Sequence, residues 1–587
     1  MKWRGLWPQA LSIWSSYTKL GQPEWAFSVP QEKSMGLRSS FAAIRLQDLR
    51  ILISLRQIAL YDLEDYGLEI LAHEIGHHVL CPANLQEAGQ AMVLVTLALP
   101  TFESQAAMVV NLWEDLLIND RLVRLHGQRH FEIYERLNAR AEAQPGKIWC
   151  FYMRIYEILW GLQPGRLNPG HLEKHEEGDA HLGARMVRVY SEDWLGGVGG
   201  FASLCFSYFA GDRESLKKDY RILFDTSGLG KGCDVPLGIL DVLNNPILHP
   251  SEDPRIMGDS HDATHSEELE SRDTGEESIL ESGSRSNATQ SREPFLFRQI
   301  LKALGLKLEG HEIAAKLYRE RALPHLIPFP CQEQEESQEP LLEGHELWEV
   351  GHPIEEIDWL ASMLRCPTVI PGVSTVRRSW GVMGGQERDK APLDLDLYVD
   401  CSGSIPNPQR SFSYLALAGA IVVLSALRTG AKVQITLWSG AGQFDTTPGF
   451  ISDEQRLFRV LTGYLGGATA FPNHILRDTY TERSVRERPV HILVLSDEGV
   501  DTMENPDERN TPGLEIAQMA MKKARGGGTM VLNLYNESFL SSPFAESVKA
   551  MDWKLFMVKD WSGLLEFARE FAKIKYGSGR KASQPCP

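Results

Sequence analysis

The chain has 587 residues, of which 43% are hydrophobic and 24% are charged, and its formal net charge is −18. This length is too great for a single hydrophobic core, so the otherwise ordinary globular composition predicts several domains. The acidic balance argues against a general binder of nucleic acid or of anionic membranes.

Targeting and redox signals favour a cytoplasmic protein. The N-terminal run MKWRGLWPQALSIWSS has Trp and Pro where a secretory signal would have a continuous apolar core. The longest apolar run, roughly residues 415–427, is too short to cross a bilayer and is followed by Arg428. Eight cysteines without a CxxC pair indicate reduced thiols and no disulfide framework.

The first predicted region, residues 1–248, is mostly α-helical, with a strand ahead of a metal motif. Its predicted elements are a strand over 50–58, helices over 65–80, 84–98 and 103–126, and a mainly helical stretch over 130–245. Pro82 ends the helix that contains the motif, because proline cannot continue a helix.

The helix over 65–80 contains a complete HExxH motif at 73–77. Residues four apart share one face of a helix, so His73 and His77 can bind the same Zn²⁺ ion. Glu74 then lies beside the fourth coordination position, where it can act as the general base toward an attacking water. A strand followed by such a helix is the zincin arrangement, so the region is predicted to be a zincin-like metallopeptidase.

A third zinc ligand is expected from the helix over 103–126, where Glu114 and Asp115 are the candidates. The segment around them resembles the metallopeptidase-like domains of certain bacterial proteins, which carry an N-x-x-x-D-x-x-I-N or E-D pattern. On that resemblance Asp115 would bind the metal and Asn119 would hold a ligand histidine in place. A gluzincin-like arrangement would use Glu114 instead, and the sequence leaves both open.

Beyond this region the composition changes twice. Residues 249–295 are acidic, rich in Ser and nearly free of aromatics, which predicts a disordered linker. Residues 296–388 are predicted to connect the linker to the last domain. They contain a helix over 296–322 and a Pro- and Trp-rich stretch over 324–385 that would wrap a neighbouring domain.

The last predicted domain, residues 389–578, alternates strands with amphipathic helices. Strands are predicted over 393–400, 432–438, 490–496, 529–535 and 553–558, and helices over 410–428, 453–464, 513–525, 542–550 and 560–575. This alternation predicts an α/β, Rossmann-like fold in which helices cover both faces of a mostly parallel sheet.

Five oxygen-bearing residues are expected at the ends of these strands: Asp400, Ser402, Ser404, Thr469 and Asp497. Ligands of open α/β sheets bind at the carboxyl ends of strands, and an oxygen-only set with two carboxylates suits Mg²⁺ or Mn²⁺. The pattern DxSxS…T…D resembles the metal-ion-dependent adhesion site (MIDAS) of a von Willebrand factor A (vWA) domain. The resemblance implies a Mg²⁺-dependent module that binds a protein partner, whose carboxylate completes the coordination of the ion.

Together the two motifs predict a multidomain protein that couples a zinc metallopeptidase-like region to a vWA domain. The resemblance implies a MoxR-type AAA+ ATPase as partner, since bacterial vWA proteins of this type work with one, and the chain itself has no Walker motif. In one hypothesis the peptidase cleaves a peptide or protein substrate. In the alternative the chain is a non-enzymatic adaptor and its HExxH zinc site is structural.

Overall fold

The computed structural model of the protein describes residues 2–15, 18–37, 41–45, 49–140, 146–168, 170–211, 233–257, 293–333, 338–384, 390–484, 487–534 and 536–572. The chain divides into two units: residues 1–321 together with 409–412, and residues 322–408 together with 413–587. Among the described residues we find no helix whose length and hydropathy together suffice to span a bilayer.

The N-terminal unit is built mainly from helices, with a small sheet near its start. Its helices are α1 (Lys2–Trp14), α2 (Val29–Met35), α3 (Leu55–Leu60), α4 (Gly67–Val79), α5 (Leu85–Ala98), α6 (Ala106–His126), α7 (His130–Ala139), α8 (Lys147–Leu159), α9 (Lys174–Val189), α10 (Trp194–Gly211), α11 (Pro254–Met257), α12 (Glu293–Ala303) and α13 (Gly310–Ala322). Its strands are β1 (Glu24–Ala26), β2 (Ala42–Arg45) and β3 (Arg50–Ser54). The central strand β3 pairs in parallel with β1 and antiparallel with β2.

Two predicted elements of this unit differ from the structure. The strand predicted over 50–58 ends at Ser54, because the Ser54 hydroxyl accepts a hydrogen bond from the Gln57 N–H and caps the start of α3. The helix predicted over 296–322 is two helices, α12 and α13, separated by a turn in which Gly305 has a positive φ of 81°.

The first residues of the linker predicted over 249–295 are packed into this unit. Ile256 in α11 is buried, and the Tyr190 hydroxyl donates to the Asp253 carboxylate over 2.5 Å. The greater part of that prediction, 258–292, lies outside the described residues. Helices α12 and α13, which the sequence places in a connecting region, belong to the N-terminal unit.

Helix α4 packs against both α1 and α6. The Trp14 indole N–H donates to the Ala72 carbonyl over 2.7 Å, which ties α1 to α4. Gly76 lies at the closest approach, since a Cβ at this position would lie 2.6 Å from Ile118 Cγ2 and 2.7 Å from Trp14 Cζ2. Only a hydrogen atom fits there, so glycine is what allows α4 and α6 to come this close.

The C-terminal unit begins with a long hairpin. Strand β4 (Cys331–Glu333) pairs with β7 (Lys390–Pro392), and between them β5 (Gln338–Leu347) pairs with β6 (Val376–Gly384), both antiparallel. Helix α14 (Trp359–Arg365) lies between β5 and β6 in the chain and packs on β6. The Pro- and Trp-rich stretch predicted over 324–385 therefore contains regular structure of its own.

A six-stranded sheet follows among the described residues of this unit. Its strands are β8 (Asp394–Asp400), β9 (Val433–Trp438), β10 (Phe444–Thr446), β11 (Val490–Ser496), β12 (Arg525–Leu532) and β13 (Trp553–Met557), in the spatial order β10-β9-β8-β11-β12-β13. Neighbouring strands are parallel except at the edge, where β10 is antiparallel to β9. The predicted, mostly parallel α/β sheet is confirmed, and its central strands β8, β9 and β11 are buried along their whole length.

Helices alternate with these strands as predicted, with one addition. They are α15 (Tyr414–Arg428), α16 (Glu454–Leu461), α17 (Asn473–Thr481), α18 (Gly513–Ala524), α19 (Pro543–Ala550) and α20 (Trp561–Ala572). Helix α17 and the short strand β10 are absent from the sequence prediction.

Gly76→Ala is expected to destabilise the N-terminal unit, although alanine is the better helix former by about 0.5–1 kcal/mol. The added methyl group would overlap Ile118 and Trp14, and overpacking costs about 1–3 kcal/mol. The matched control is Gly178→Ala in α9, where the added Cβ has open space among the described residues. Urea unfolding followed by circular dichroism should give a lower midpoint for Gly76→Ala and a higher one for Gly178→Ala. Equal midpoints would contradict the close packing.

Candidate metal centres

The first candidate centre lies where α4 packs against α6. His73 and His77 are one turn apart on α4, and Asp115 lies on α6. The Nε2 atoms of His73 and His77 lie 3.5 and 3.6 Å from the same Asp115 oxygen, Oδ1. In the described part of the chain, the ligand atoms of these three side chains all lie within 4.8 Å of one another.

The Nδ1 nitrogen of each histidine lies within hydrogen-bonding distance of an oxygen atom. His73 Nδ1 lies 2.8 Å from Asn119 Oδ1, and His77 Nδ1 lies 3.0 Å from the Cys81 carbonyl oxygen. Carbonyl oxygens only accept hydrogen bonds, so Nδ1 carries the hydrogen in each ring and Nε2 presents a lone pair. Both Nε2 lone pairs therefore lie on the side of the histidines that faces Asp115.

Geometry distinguishes the two candidates for the third position. Asp115 Oδ2 accepts a hydrogen bond from the Asn111 amide over 3.1 Å, while Oδ1 faces the two Nε2 atoms. Glu114 Oε2 instead lies 3.9 Å from His77 Nδ1, the nitrogen already engaged with the Cys81 carbonyl. Burial raises the pKa of the Cys81 thiol well above its usual value, and the charges of Glu114 and Asp115 add to the rise.

The centre is largely enclosed by the helix interface. Glu74 has only 1% of its surface exposed, and His77 and Asp115 are buried as well. His73 is the most exposed member of the group, with 12% of its side chain accessible. Access from solvent is therefore on the His73 side, whereas the Glu74 side chain is buried.

A buried histidine and three buried tyrosines lie next to these ligand candidates and were not predicted from the sequence. His130, at the start of α7, is buried, and its ring centroid lies 6.3 Å from that of His73. Burial lowers the pKa of His130 to about 3. Tyr134, Tyr152 and Tyr156 form a buried cluster of hydroxyl groups. Part of the signal was present, because Tyr152 and Tyr156 are four residues apart on one aromatic-rich helix and so share a face.

The second candidate centre lies at the carboxyl end of β8. Asp400 ends this strand, where its Oδ1 accepts from the Ser402 N–H over 2.8 Å and its Oδ2 from the Ser496 hydroxyl over 2.6 Å. Ser496 ends the adjacent strand β11, so the parallel pairing of β8 and β11 sets this contact. Burial raises the pKa of Asp400, and these hydrogen bonds act against the rise.

Hydroxyl groups connect Asp400 to the second predicted carboxylate. Ser402 Oγ lies 3.1 Å from Ser404 Oγ, and the Ser404 hydroxyl donates to Asp497 Oδ2 over 2.5 Å. The other Asp497 oxygen accepts from the Gly499 N–H over 2.8 Å. The structure thus brings four of the five predicted residues together through direct contacts.

Thr469 lies in a loop that is tied to the same place. The Gly403 N–H donates to the Gly467 carbonyl over 2.9 Å, which joins this loop to the one after β8. The Thr469 side chain packs on Gly499, where an added Cβ would lie 2.6 Å from Thr469 Cγ2. Thr469 therefore lies against the turn that follows Asp497, and its methyl group makes this contact.

Comparisons with known proteins add a distant structural likeness. No family model matches the chain, and no curated protein matches it. Among solved structures, the chain is similar to a von Willebrand factor type A protein from Catenulispora acidiphila, with 16% sequence identity and a TM-score of 0.21. The likeness covers 33% of this chain and 43% of that chain, so it spans less than half of either.

Proposed function

We propose that the chain is a cytoplasmic two-cation protein whose N-terminal unit is a zinc peptidase and whose C-terminal unit recruits a protein partner through Mg²⁺. The peptidase proposal rests on two distances: the Nε2 atoms of His73 and His77 lie 3.5 and 3.6 Å from Asp115 Oδ1. In tetrahedral zinc coordination with bonds of about 2.0–2.2 Å, neighbouring ligand atoms are roughly 3.4 Å apart. The two separations are long for hydrogen bonds and fit shared coordination.

The zinc ligands would be His73, His77 and Asp115, a three-ligand set that leaves a coordination position for water or a substrate carbonyl. When bound, zinc would polarise that carbonyl and acidify the water. Asn119 and the Cys81 carbonyl hold the two rings with their Nε2 lone pairs facing Asp115. The Glu74 carboxylate would accept the proton from the attacking water.

The proposed recruitment function rests on the convergence of oxygens after β8 and β11. Asp400, Ser402, Ser404, Thr469 and Asp497 would hold Mg²⁺, a hard cation that prefers oxygen ligands. The hydrogen-bonded series that runs from Asp400 through the Ser402 N–H and the two serine hydroxyls to Asp497 supports this assignment. The resemblance to a MIDAS implies that a partner carboxylate completes the coordination. It also implies a MoxR-type AAA+ ATPase as the partner, which would supply ATP-driven work.

The burial of Glu74 favours a second candidate function. A general base needs contact with water and substrate, yet 99% of the Glu74 surface is covered. A closed zinc site that only stabilises the packing of α4 on α6 fits such burial. In that case the chain is a non-enzymatic adaptor, and recruitment through the C-terminal unit is its activity.

Glu74→Gln separates these two functions. The substitution should keep zinc, since Glu74 is not a ligand, and should reduce cleavage of a fluorogenic peptide library by roughly 10²–10⁴-fold through loss of the base. Glu64→Gln, on an exposed residue just before α4, is the matched control and should cleave like the wild type. If the zinc-loaded wild type cleaves nothing, or if Glu74→Gln cleaves equally well, the adaptor is correct and the peptidase is not.

Asp400→Ala and Thr469→Ala test the recruitment centre. Each should weaken Mn²⁺ binding, measured by electron paramagnetic resonance with Mn²⁺ as the probe, and should reduce EDTA-sensitive capture of the MoxR-type ATPase from the same organism. Asp445→Ala, on the exposed edge strand β10, removes the same charge and should change neither result. Capture that is insensitive to EDTA and to both substitutions would refute cation-dependent recruitment.

A further inference from the structure

Asn119 joins His73 of the proposed zinc site to a buried group of tyrosines. Its Oδ1 lies 2.8 Å from His73 Nδ1. Its Nδ2 donates to the Tyr134 hydroxyl over 3.0 Å and to the Tyr156 hydroxyl over 2.9 Å. These two hydroxyls lie 3.2 Å apart, and Tyr152 continues the chain with its hydroxyl 2.9 Å from that of Tyr156.

The number of hydrogens in this cluster fixes the orientation of the Asn119 amide. Four contacts join the amide and the three hydroxyls, and each contact needs one hydrogen. With the NH₂ group toward the tyrosines, the amide supplies the hydrogens of two contacts. The Tyr134 hydroxyl then donates to Tyr156, and the Tyr156 hydroxyl donates to Tyr152, so all four contacts have a hydrogen. With the carbonyl toward them, the Tyr134 and Tyr156 hydrogens both go to that oxygen, and the 3.2 Å contact between those hydroxyls has none.

The amide orientation decides which nitrogen of His73 can bind a metal. With Oδ1 toward the ring, Nδ1 carries the hydrogen and Nε2 has the lone pair that faces Asp115. With NH₂ toward the ring, Nδ1 must accept, so the hydrogen moves to Nε2 and blocks that ligand position. The tyrosine hydroxyls thus act on the ligand atom through two successive hydrogen bonds.

We propose that Tyr134 and Tyr156 are positioning residues that set the Nε2-ligating tautomer of His73 by fixing the Asn119 amide. The inference rests on the proposed zinc site and deepens it. Removing either hydroxyl leaves a cluster that both amide orientations satisfy, so the wrong tautomer becomes accessible. Loss of an outer-shell partner of this kind lowers metal affinity by about 10–100-fold.

The test measures zinc affinity of the full chain by competition with a chromophoric chelator. Tyr134→Phe should weaken zinc binding by about tenfold or more, whereas Tyr208→Phe, which removes a buried hydroxyl bonded to Asp179, should not. Tyr134→Phe combined with Asn119→Asp should restore affinity, because a carboxylate presents an acceptor oxygen in either orientation. Purely structural damage would not be rescued in this way.

The outcomes separate this inference from the proposed function. If the wild type binds no zinc, the zinc site itself is refuted. If the wild type binds zinc and Tyr134→Phe binds it equally well, or if Asn119→Asp gives no rescue, the tyrosine mechanism is wrong while the zinc site stands. In ¹⁵N-histidine spectra of the metal-free chain, the mechanism predicts protonated Nδ1 at His73 in the wild type and a mixture of tautomers in Tyr134→Phe.

A separate observation concerns the hairpin formed by residues 338–384, which we call the arm. Large apolar side chains are concentrated on its exposed surface. On α14, Trp359 and Leu360 are 52% and 71% exposed, and Met363 and Leu364, one turn later, are 50% and 80% exposed. Further exposed apolar residues of the arm are Leu341, Leu342, Leu347, Val350, Ile354, Ile370, Val373 and Trp380. Single exposed apolar residues are common on protein surfaces, but such a concentration marks an interaction site.

Polar contacts orient α14 so that its apolar side faces solvent. The inner side of α14 carries Ser362, whose hydroxyl donates to the Asp358 carbonyl over 2.7 Å and accepts from the Val376 N–H over 2.9 Å. Asp358 caps the helix by accepting from the Ala361 N–H, and Arg378 donates to the same carboxylate group over 2.8 Å. The helix is thus held to β6 by its polar side, which leaves its apolar side to a partner.

The charge balance of the arm defines the chemistry of that partner. The arm contains seven acidic and three basic residues. Two of the basic residues, Arg377 and Arg378, already form ion pairs with acidic residues of the arm. Glu343, Glu349 and Glu355 are exposed, and Arg365 is the one exposed base besides this pair, so the exposed charge of the arm is predominantly acidic. Complementarity then calls for an apolar surface with Lys or Arg around it.

We propose that the arm binds a protein partner through an amphipathic helix whose apolar face is flanked by basic residues. This docking surface is independent of both cation sites. Helix-to-helix docking of this kind uses side chains one turn apart as anchors, which is the spacing of Trp359 with Met363 and of Leu360 with Leu364.

Two synthetic helical peptides with the same leucine face, one flanked by lysines and one by glutamates, serve as probes in calorimetric titrations of the full chain. The lysine peptide should bind, and the double variant Leu360→Asp/Leu364→Asp should weaken it at least tenfold. The two added aspartates would strengthen nonspecific electrostatic attraction of the lysine peptide. Weaker binding by the double variant would therefore show that the apolar face is needed. Leu125→Asp, an exposed leucine outside the arm, is the control. Equal binding of both peptides, equal binding by the double variant, or self-association that the double variant abolishes would overturn the proposal.

Discussion

The close packing of α4 against α6 is the constraint on which the N-terminal centre depends. The HExxH motif places two imidazoles on one face of α4, but it cannot supply the third group. Asp115 reaches them only because Gly76 lets α4 approach the Ile118 side chain of α6 without a Cβ between them. Glu74, on the same helix, is buried as well, so the packing of α4 limits solvent access to the motif.

Burial of so many ionisable groups gives a physical reason for a cation at this interface. Helix α6 buries Glu114, Asp115 and Asp120, and buried charges are costly unless compensated. Arg124 and Arg188 compensate Asp120, at 3.5 and 3.1 Å. Glu114 and Asp115 instead face motif histidines. A divalent ion would supply the positive charge on their side of the helix.

The C-terminal centre is built by a different rule. A parallel sheet brings the carboxyl ends of neighbouring strands to one edge, so Asp400 and Ser496 meet through strand pairing alone. The loop hydroxyls of Ser402 and Ser404 then extend the polar network to Asp497. Residues that are remote in sequence are positioned here by backbone topology, whereas the N-terminal centre requires a particular helix rotation.

This difference explains what could be predicted from the sequence. The convergence after β8 and β11 follows from strand alternation, and the shared face of His73 and His77 follows from helical periodicity. The choice between Glu114 and Asp115 could not be made from the sequence. Adjacent helix residues point in directions about 100° apart, and only packing fixes the rotation of α6. The tyrosines behind Asn119 come from two other helices, α7 and α8, so no local pattern links them to the motif. The strand over 50–58 was predicted too long because a single capping side chain, Ser54, ended it.

X-ray absorption at the zinc edge of the full-length chain would identify the ligands of the proposed N-terminal site. We expect two imidazole nitrogens and a carboxylate oxygen at about 2.0–2.2 Å from the zinc, without sulfur. A sulfur scatterer at about 2.3 Å would assign the metal to a cysteine such as Cys81. That result, or a ligand set without imidazole, would rule out zinc coordination by His73, His77 and Asp115.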